Sequence, residues 1–80
     1  MMPRFFFDTH SDLASFRDVE GVELASSEMA REELIRALPG MLRDELPTVA
    51  ERCSIRADVR NDAGQVVFTV QLSLTTRWLK

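Results

Sequence analysis

The sequence predicts an α+β fold of order ββαββ, a mainly antiparallel sheet with one amphipathic, kinked helix packed on one face, and three observations predict it. Two stretches, 53–60 and 66–75, alternate apolar and polar residues on either side of Asn61-Asp62-Ala63-Gly64, the pattern of two half-buried strands joined by a turn. Between Ala30 and Leu46 the apolar residues recur at spacings of three and four, which places them in one stripe along a helix. Near the start, Phe5, Phe6 and Phe7 follow one another, and consecutive aromatic residues favour a pleated backbone.

Taken in order, Arg4 to Asp8 forms a short strand with Phe5 and Phe7 on one face and Phe6 on the other. Thr9 to Ser15 is polar and suits a turn. A weaker second strand lies between Phe16 and Leu24, broken at Asp18-Val19-Glu20-Gly21, where Gly21 takes a positive φ at little cost. Ala25-Ser26-Ser27-Glu28 then opens the helix, with a serine as N-cap and Glu28 near the positive end of the helix dipole. Its apolar stripe is Ala30, Leu34, Ala37, Leu38, Met41, Leu42 and Leu46. Arg31, Glu32, Arg36, Arg43 and Asp44 form the opposite, solvated face, with Glu32 and Arg36 an i,i+4 pair.

Pro39-Gly40 interrupts the helix because proline removes the amide that would bond the carbonyl of Ile35, so a kink or break is expected there. The stripe keeps its phase across the pair, which favours a bend. Pro47 ends the element. In the final hairpin, Arg60 opposes Gln65, and counting outward pairs Val59 with Val66, Ala57 with Phe68, Ile55 with Val70 and Cys53 with Leu72. Every inward residue then meets an inward one, and a slip by one residue would break the match.

Eighty residues make a single domain, 1–80, which at this size buries only about 60% of the surface of its unfolded chain. The hydrophobic share of 45% and the charged share of 29% are those of an ordinary folded domain. One cysteine excludes an internal disulfide, and Cys53, on the apolar side of a strand, reads as a core residue. A lone thiol, an opening without the apolar run of a signal peptide, and no long apolar span make the cytoplasm the expected compartment, away from any membrane. A net charge of −3 speaks against a general nucleic-acid binder. Acids gather up to and including Glu23 and cations from Arg52 onward, an asymmetry that can guide self-association.

Catalysis finds little support. With one histidine, one cysteine and no tyrosine, no nucleophile and base form a recognised motif, and the isolated Gly21, Gly40 and Gly64 make no phosphate-cradling loop. The expectation is therefore no enzyme and no cofactor. The sharpest chemical alternative is Asp8, His10 and Asp12, spaced by two so that an extended chain projects all three from one face as a candidate site for a metal or small ligand. The simpler reading is a polar strand end. The outward face of the hairpin, Arg56, Arg60, Thr69, Gln71 and Ser73, is either a solvated surface or an interaction face. The leading reading is a non-catalytic protein-interaction or regulatory module, a homo-oligomer, because so small a domain without disulfide or metal gains stability from a partner.

Pro3-Arg4-Phe5-Phe6-Phe7, Asp18-Val19-Glu20-Gly21-Val22-Glu23-Leu24, Arg36-Ala37-Leu38-Pro39, Asp44-Glu45-Leu46-Pro47 and Val59-Arg60-Asn61-Asp62-Ala63-Gly64-Gln65-Val66 together resemble a family of short bacterial proteins classed as a domain of unknown function. Members typically open Pro-Arg-Tyr-Phe-Phe-His and carry Val-Arg-Asp-x-x-Gly-Arg-Pro at the hairpin. Phe5 stands here for the tyrosine, Asp8 for the histidine, and Gln65-Val66 for Arg-Pro. The resemblance implies a compact bacterial cytoplasmic protein and supplies no activity or catalytic residue. Phe16-Arg17-Asp18-Val19-Glu20-Gly21 before an amphipathic helix is also similar to the partial ribonuclease-H-like fold of HicB-type antitoxins. That analogy implies a binding module in a regulatory setting.

Overall fold

The computed structural model describes residues 2–12, 14–45 and 52–80. Leu13, within the expected turn, Leu46 of the helical stripe and the helix stop at Pro47 lie outside the described residues. The elements are β1 (Arg4–Ser11), β2 (Ser15–Phe16), β3 (Val22–Glu23), α1 (Ser27–Glu45), β4 (Arg52–Arg60) and β5 (Val66–Thr75). The fold is α+β, with an antiparallel sheet in the order β2-β1-β4-β5 and β3 also paired to β1.

The first strand runs three residues further than expected. Thr9, His10 and Ser11 pair with Ala57, Arg56 and Ile55 of β4, while Thr9 and His10 also pair with Phe16 and Ser15 of β2. Two ladders satisfy this polar segment's backbone, which outweighs its preference for a turn. The turn itself shrinks to the residues after Ser11, whose amide donates to the carbonyl of Ala14 at 2.8 Å. The second strand is broken where the sequence indicated. Its halves, β2 and β3, lie on the same edge of β1 on either side of Asp18–Gly21.

Ser26 caps α1, its Oγ accepting from the amide of Met29 at 3.3 Å. Ala30, Leu34, Leu38 and Leu42, each four residues from the next, are the buried row. Met41 packs partly against them, and Ala37, expected in the stripe, is exposed. The row is narrower than the sequence implies because the helix lies on a sheet and touches it along one line. Arg36 approaches Glu33 at 4.0 Å, an i,i+3 contact in place of the expected pair with Glu32. The helix is continuous through Pro39-Gly40. Pro39 is on the solvent side and Ile35 is exposed, so water can serve the carbonyl that the proline leaves without a partner.

The core lies between α1 and one sheet face: Phe5 from β1, the helical row, and Cys53, Ile55, Ala57 and Val59 from β4. Phe7, Phe68, Val70, Leu72 and Leu74 pack against it. The hairpin keeps the expected faces in a different register. Val59 pairs with Phe68, Ala57 with Val70, Ile55 with Leu72 and Cys53 with Leu74, two residues beyond the expected partners. One step comes from the loop. Asn61 pairs with Gln65, leaving a three-residue loop that ends on Gly64 at φ 81°, with Asn61 Oδ1 accepting from the amides of Ala63 and Gln65. The second comes from a bulge, since Arg60 pairs with Val66 but Val59 with Phe68, so that Val67 is extra. Either step alone would turn β5 inside out; together they restore the apolar match. Val66, expected inward, is the exception, because the bulge leaves it beside outward-facing Arg60.

Candidate functional site

The break between β2 and β3 leaves the edge of β1 at Phe6–Asp8 without a strand, and the side chain of Asp18 takes its place. Asp18 Oδ2 accepts from the amide of Phe7 at 3.1 Å, and Oδ1 accepts from the amides of Glu20 at 3.1 Å and Gly21 at 3.0 Å. Short acidic side chains serve backbone amides in this way wherever a ladder fails. The amide of Asp18 in turn donates to Asp8 Oδ1 at 3.0 Å.

Asp8 projects from β1 on the face away from α1 and is 6% exposed. Arg60 of β4 clasps it, Nε donating to Oδ2 at 2.6 Å and a terminal nitrogen to Oδ1 at 3.2 Å. The same guanidinium donates to the carbonyl of Asp18 at 2.8 Å and lies 4.9 Å from the centroid of the Phe6 ring. One arginine thus ties β4, β1 and the Asp18–Gly21 turn together. Gly21, at φ 70°, completes the turn against the carbonyl of Phe5 and the ring of Phe6.

The Arg60 hydrogen bonds hold the Asp8 carboxyl below its ordinary pKa against the upward push of burial. Burial also pushes Asp18 upward, but the amides of Gly21, Phe7 and Glu20 outweigh it and its pKa too is lowered. Arg60 is raised by the bond to Asp8. Because both carboxyls are depressed on folding, their contribution to stability is complete above the unfolded carboxylate value, near 3.8, and is lost as pH falls through their lower folded values. Thermal melts should show this network's contribution unchanged from neutrality to about pH 5 and falling below about pH 4. Loss of its contribution between pH 7 and 5 would contradict that assignment.

Further along the same face, Asp58 accepts from Thr69 Oγ1 at 2.7 Å and lies 3.6 Å from Arg56 Nε and 3.7 Å from His10 Nε2. A hollow of about 460 Å³ opens here, bordered by Asp8, His10, Phe16, Arg60, Gly64 and Val66 among others. Of the segment singled out for metal binding, Asp8 and His10 border this hollow, while Asp12 borders a neighbouring one with Arg56 and Gln71. Among the described residues no three His, Cys, Asp or Glu side chains form a group that could hold a metal ion. Both oxygens of Asp8 already face Arg60.

Of the expected interaction face, Arg56, Thr69, Gln71 and Ser73 are exposed on the side away from the helix, whereas Arg60 is consumed by Asp8. Two other features stand outside the sites expected from the sequence. One is the position of β5 at the open edge of the sheet. The other is Trp78 and Leu79, 94% and 84% exposed just beyond β5. The signal for the first was an uncharged run, Gln65–Thr76, and for the second an apolar pair directly after it.

No helix among the described residues is long and apolar enough to cross a membrane. No curated protein and no solved structure matches the chain. A family model described as a domain of unknown function (DUF6894) matches residues 4–73, and the chain belongs to that family.

Proposed function

We propose that this member of the DUF6894 family is a non-catalytic protein-interaction module that works by self-association. The observation that carries the reading is β5. It is a ten-residue edge strand in an uncharged, proline-free run from Gln65 to Thr76. An edge strand leaves half its backbone donors and acceptors facing outward, and proteins that keep such an edge free guard it with charge, proline, short length or a covering segment. Apart from the bulge at Val67, β5 has none of these among the described residues. The opposite edge is treated differently, since β2, Asp18 and β3 cover β1 in turn. A partner strand on β5 also answers the stability problem of a small domain without a disulfide.

The chemistry of the buried carboxyls supports a non-catalytic role. Asp8 and Asp18 are depressed and bonded, whereas a general acid or base works best with a pKa near the working pH. Sedimentation velocity from about 1 to about 200 µM tests self-association, because an oligomer dissociates on dilution. The expected result is a species of twice the 9.1 kDa chain mass that dissociates at the low end. A 9.1 kDa particle at every concentration contradicts the reading.

A second reading, a small-ligand site, is favoured by the hollow of about 460 Å³ beside Asp8 and His10. Native mass spectrometry of gently purified protein decides it. A stoichiometric adduct that is lost in His10→Ala would establish that reading, and bare chains in both proteins would remove it.

A further inference from the structure

Resting on the self-association reading, we infer that the second copy adds to β5 antiparallel, with the two-fold axis at Gln71, and that the arm Thr76–Lys80 of each copy lies across the hairpin end of the other. A strand paired with itself about a two-fold axis has partners whose numbers share one sum. An odd sum would set the half-buried row Phe68, Val70, Leu72 and Leu74 opposite the exposed row Thr69, Gln71 and Ser73, so only even sums keep the faces.

Centring on Gln71 uses the strand from Val67 to Thr75. Val70 meets Leu72, Phe68 meets Leu74, and Thr69 meets Ser73, so apolar residues oppose apolar ones and hydroxyls oppose hydroxyls. Centring on Val70 sets Leu74 of the inner face against Val66, which the bulge has turned outward. Centring on Leu72 sets Phe68 against Thr76 and shortens the pairing. Because Gln65–Thr76 carries no charge, no like charges meet in the favoured register.

The antiparallel pairing carries the arm of each copy past the bulge at Val67 to the hairpin end of the other, which explains its exposed apolar pair. There, Arg77 and Trp78 lie near the partner's Gln65 and Gly64. The hollow at that end is bordered by Val66 and Phe16, both well exposed in a single chain. Arg77 and Lys80 bring positive charge to the hairpin turn, where Asp62 is exposed. The arm has the reach. The chain measures 57 × 20 × 17 Å, and β5 with its arm spans about 50 Å when extended. Its radius of gyration of 14.4 Å exceeds the roughly 12 Å of a compact chain this long. Trp is enriched among the side chains that anchor interfaces, and the two-fold axis supplies it twice.

Trp78 is the only tryptophan, so its emission reports the arm alone. The experiment measures that emission and the mass in parallel through a dilution series, and follows oxidative cross-linking of Gln71→Cys, an exposed position that the monomer fold does not need. The expected result is a dimer whose emission is blue-shifted and moves red as it dissociates, with ready cross-linking of Gln71→Cys to itself. Thr69→Cys and Ser73→Cys should cross-link when mixed but not alone, because identical positions then lie roughly 13 Å apart, beyond disulfide reach. Trp78→Ala should raise the dissociation constant by at least about tenfold. A dimer that fails to cross-link through Gln71→Cys, or whose emission stays that of indole in water, overturns this inference and leaves self-association standing. A monomer throughout overturns both.

Discussion

Replacing Asp8 with alanine is expected to cost about 3 kcal/mol of stability, the lower end of what breaking a buried ion pair costs. The side chains of Asp8 and Arg60 are only 8% and 12% exposed, so neither charge is freely exchanged for water. Asp8→Ala removes the acceptor of three donors at once: Arg60 Nε, the Asp18 amide, and the Arg60 terminal nitrogen, which keeps only the Asp18 carbonyl. The cost stays at the lower end because Arg60 is long enough to swing its head toward solvent. In a domain of this size the melting temperature should fall by about 12 °C or more. Removing both partners in Asp8→Ala with Arg60→Met should restore part of the loss, since no unpaired charge remains. A loss under about 1 kcal/mol for Asp8→Ala would mean that the pair behaves as a surface bridge.

Gly21→Ala is expected to cost about as much, by another mechanism. At φ 70° an L-residue pays roughly 1–2 kcal/mol for its backbone conformation alone. A Cβ there would also stand 2.8 Å from the carbonyl oxygen of Phe5, 2.8 Å from the Phe6 ring and 2.9 Å from Arg4 Cγ. The Phe5 carbonyl belongs to backbone held between β3 and the core, so it cannot yield cheaply. Together these terms put the loss at about 3 kcal/mol. Gly64→Ala isolates the first term. Gly64 also has a positive φ, 81°, but a Cβ there meets nothing within 4 Å, so its substitution should cost only about 1 kcal/mol. Equal losses in denaturant melts would show that close packing at Gly21 contributes nothing.

The two positions also show how far the sequence could be followed. Gly21 was legible as a left-handed turn residue and Gly64 as the end of the hairpin turn, because glycine between strand signals has few other meanings. That a side chain would clash at one and not the other depends on β3 returning beside Phe5, a tertiary fact absent from local pattern. The hairpin faces were legible from alternation, but its register was not, because a three-residue loop and a bulge shift it by two and leave the alternation intact. In the sequence Asp8 stands out only for its spacing with His10 and Asp12, which implies an exposed position. Its partner Arg60 is 52 residues away, and only the pairing of β1 with β4 brings them together. The uncharged run that makes β5 conspicuous as an edge could not be weighed until the strand order was known, since the same run in a central strand would be unremarked.

Amide hydrogen exchange along Val66–Thr75 reports whether a second copy covers the β5 edge. In a free edge strand the amides facing β4 are protected and those facing outward are not, so protection alternates along the strand. At concentrations where the chain is a dimer, consecutive amides from Val67 to Thr75 are expected to be protected, with the outward set losing protection on dilution. Alternating protection at every concentration would contradict it.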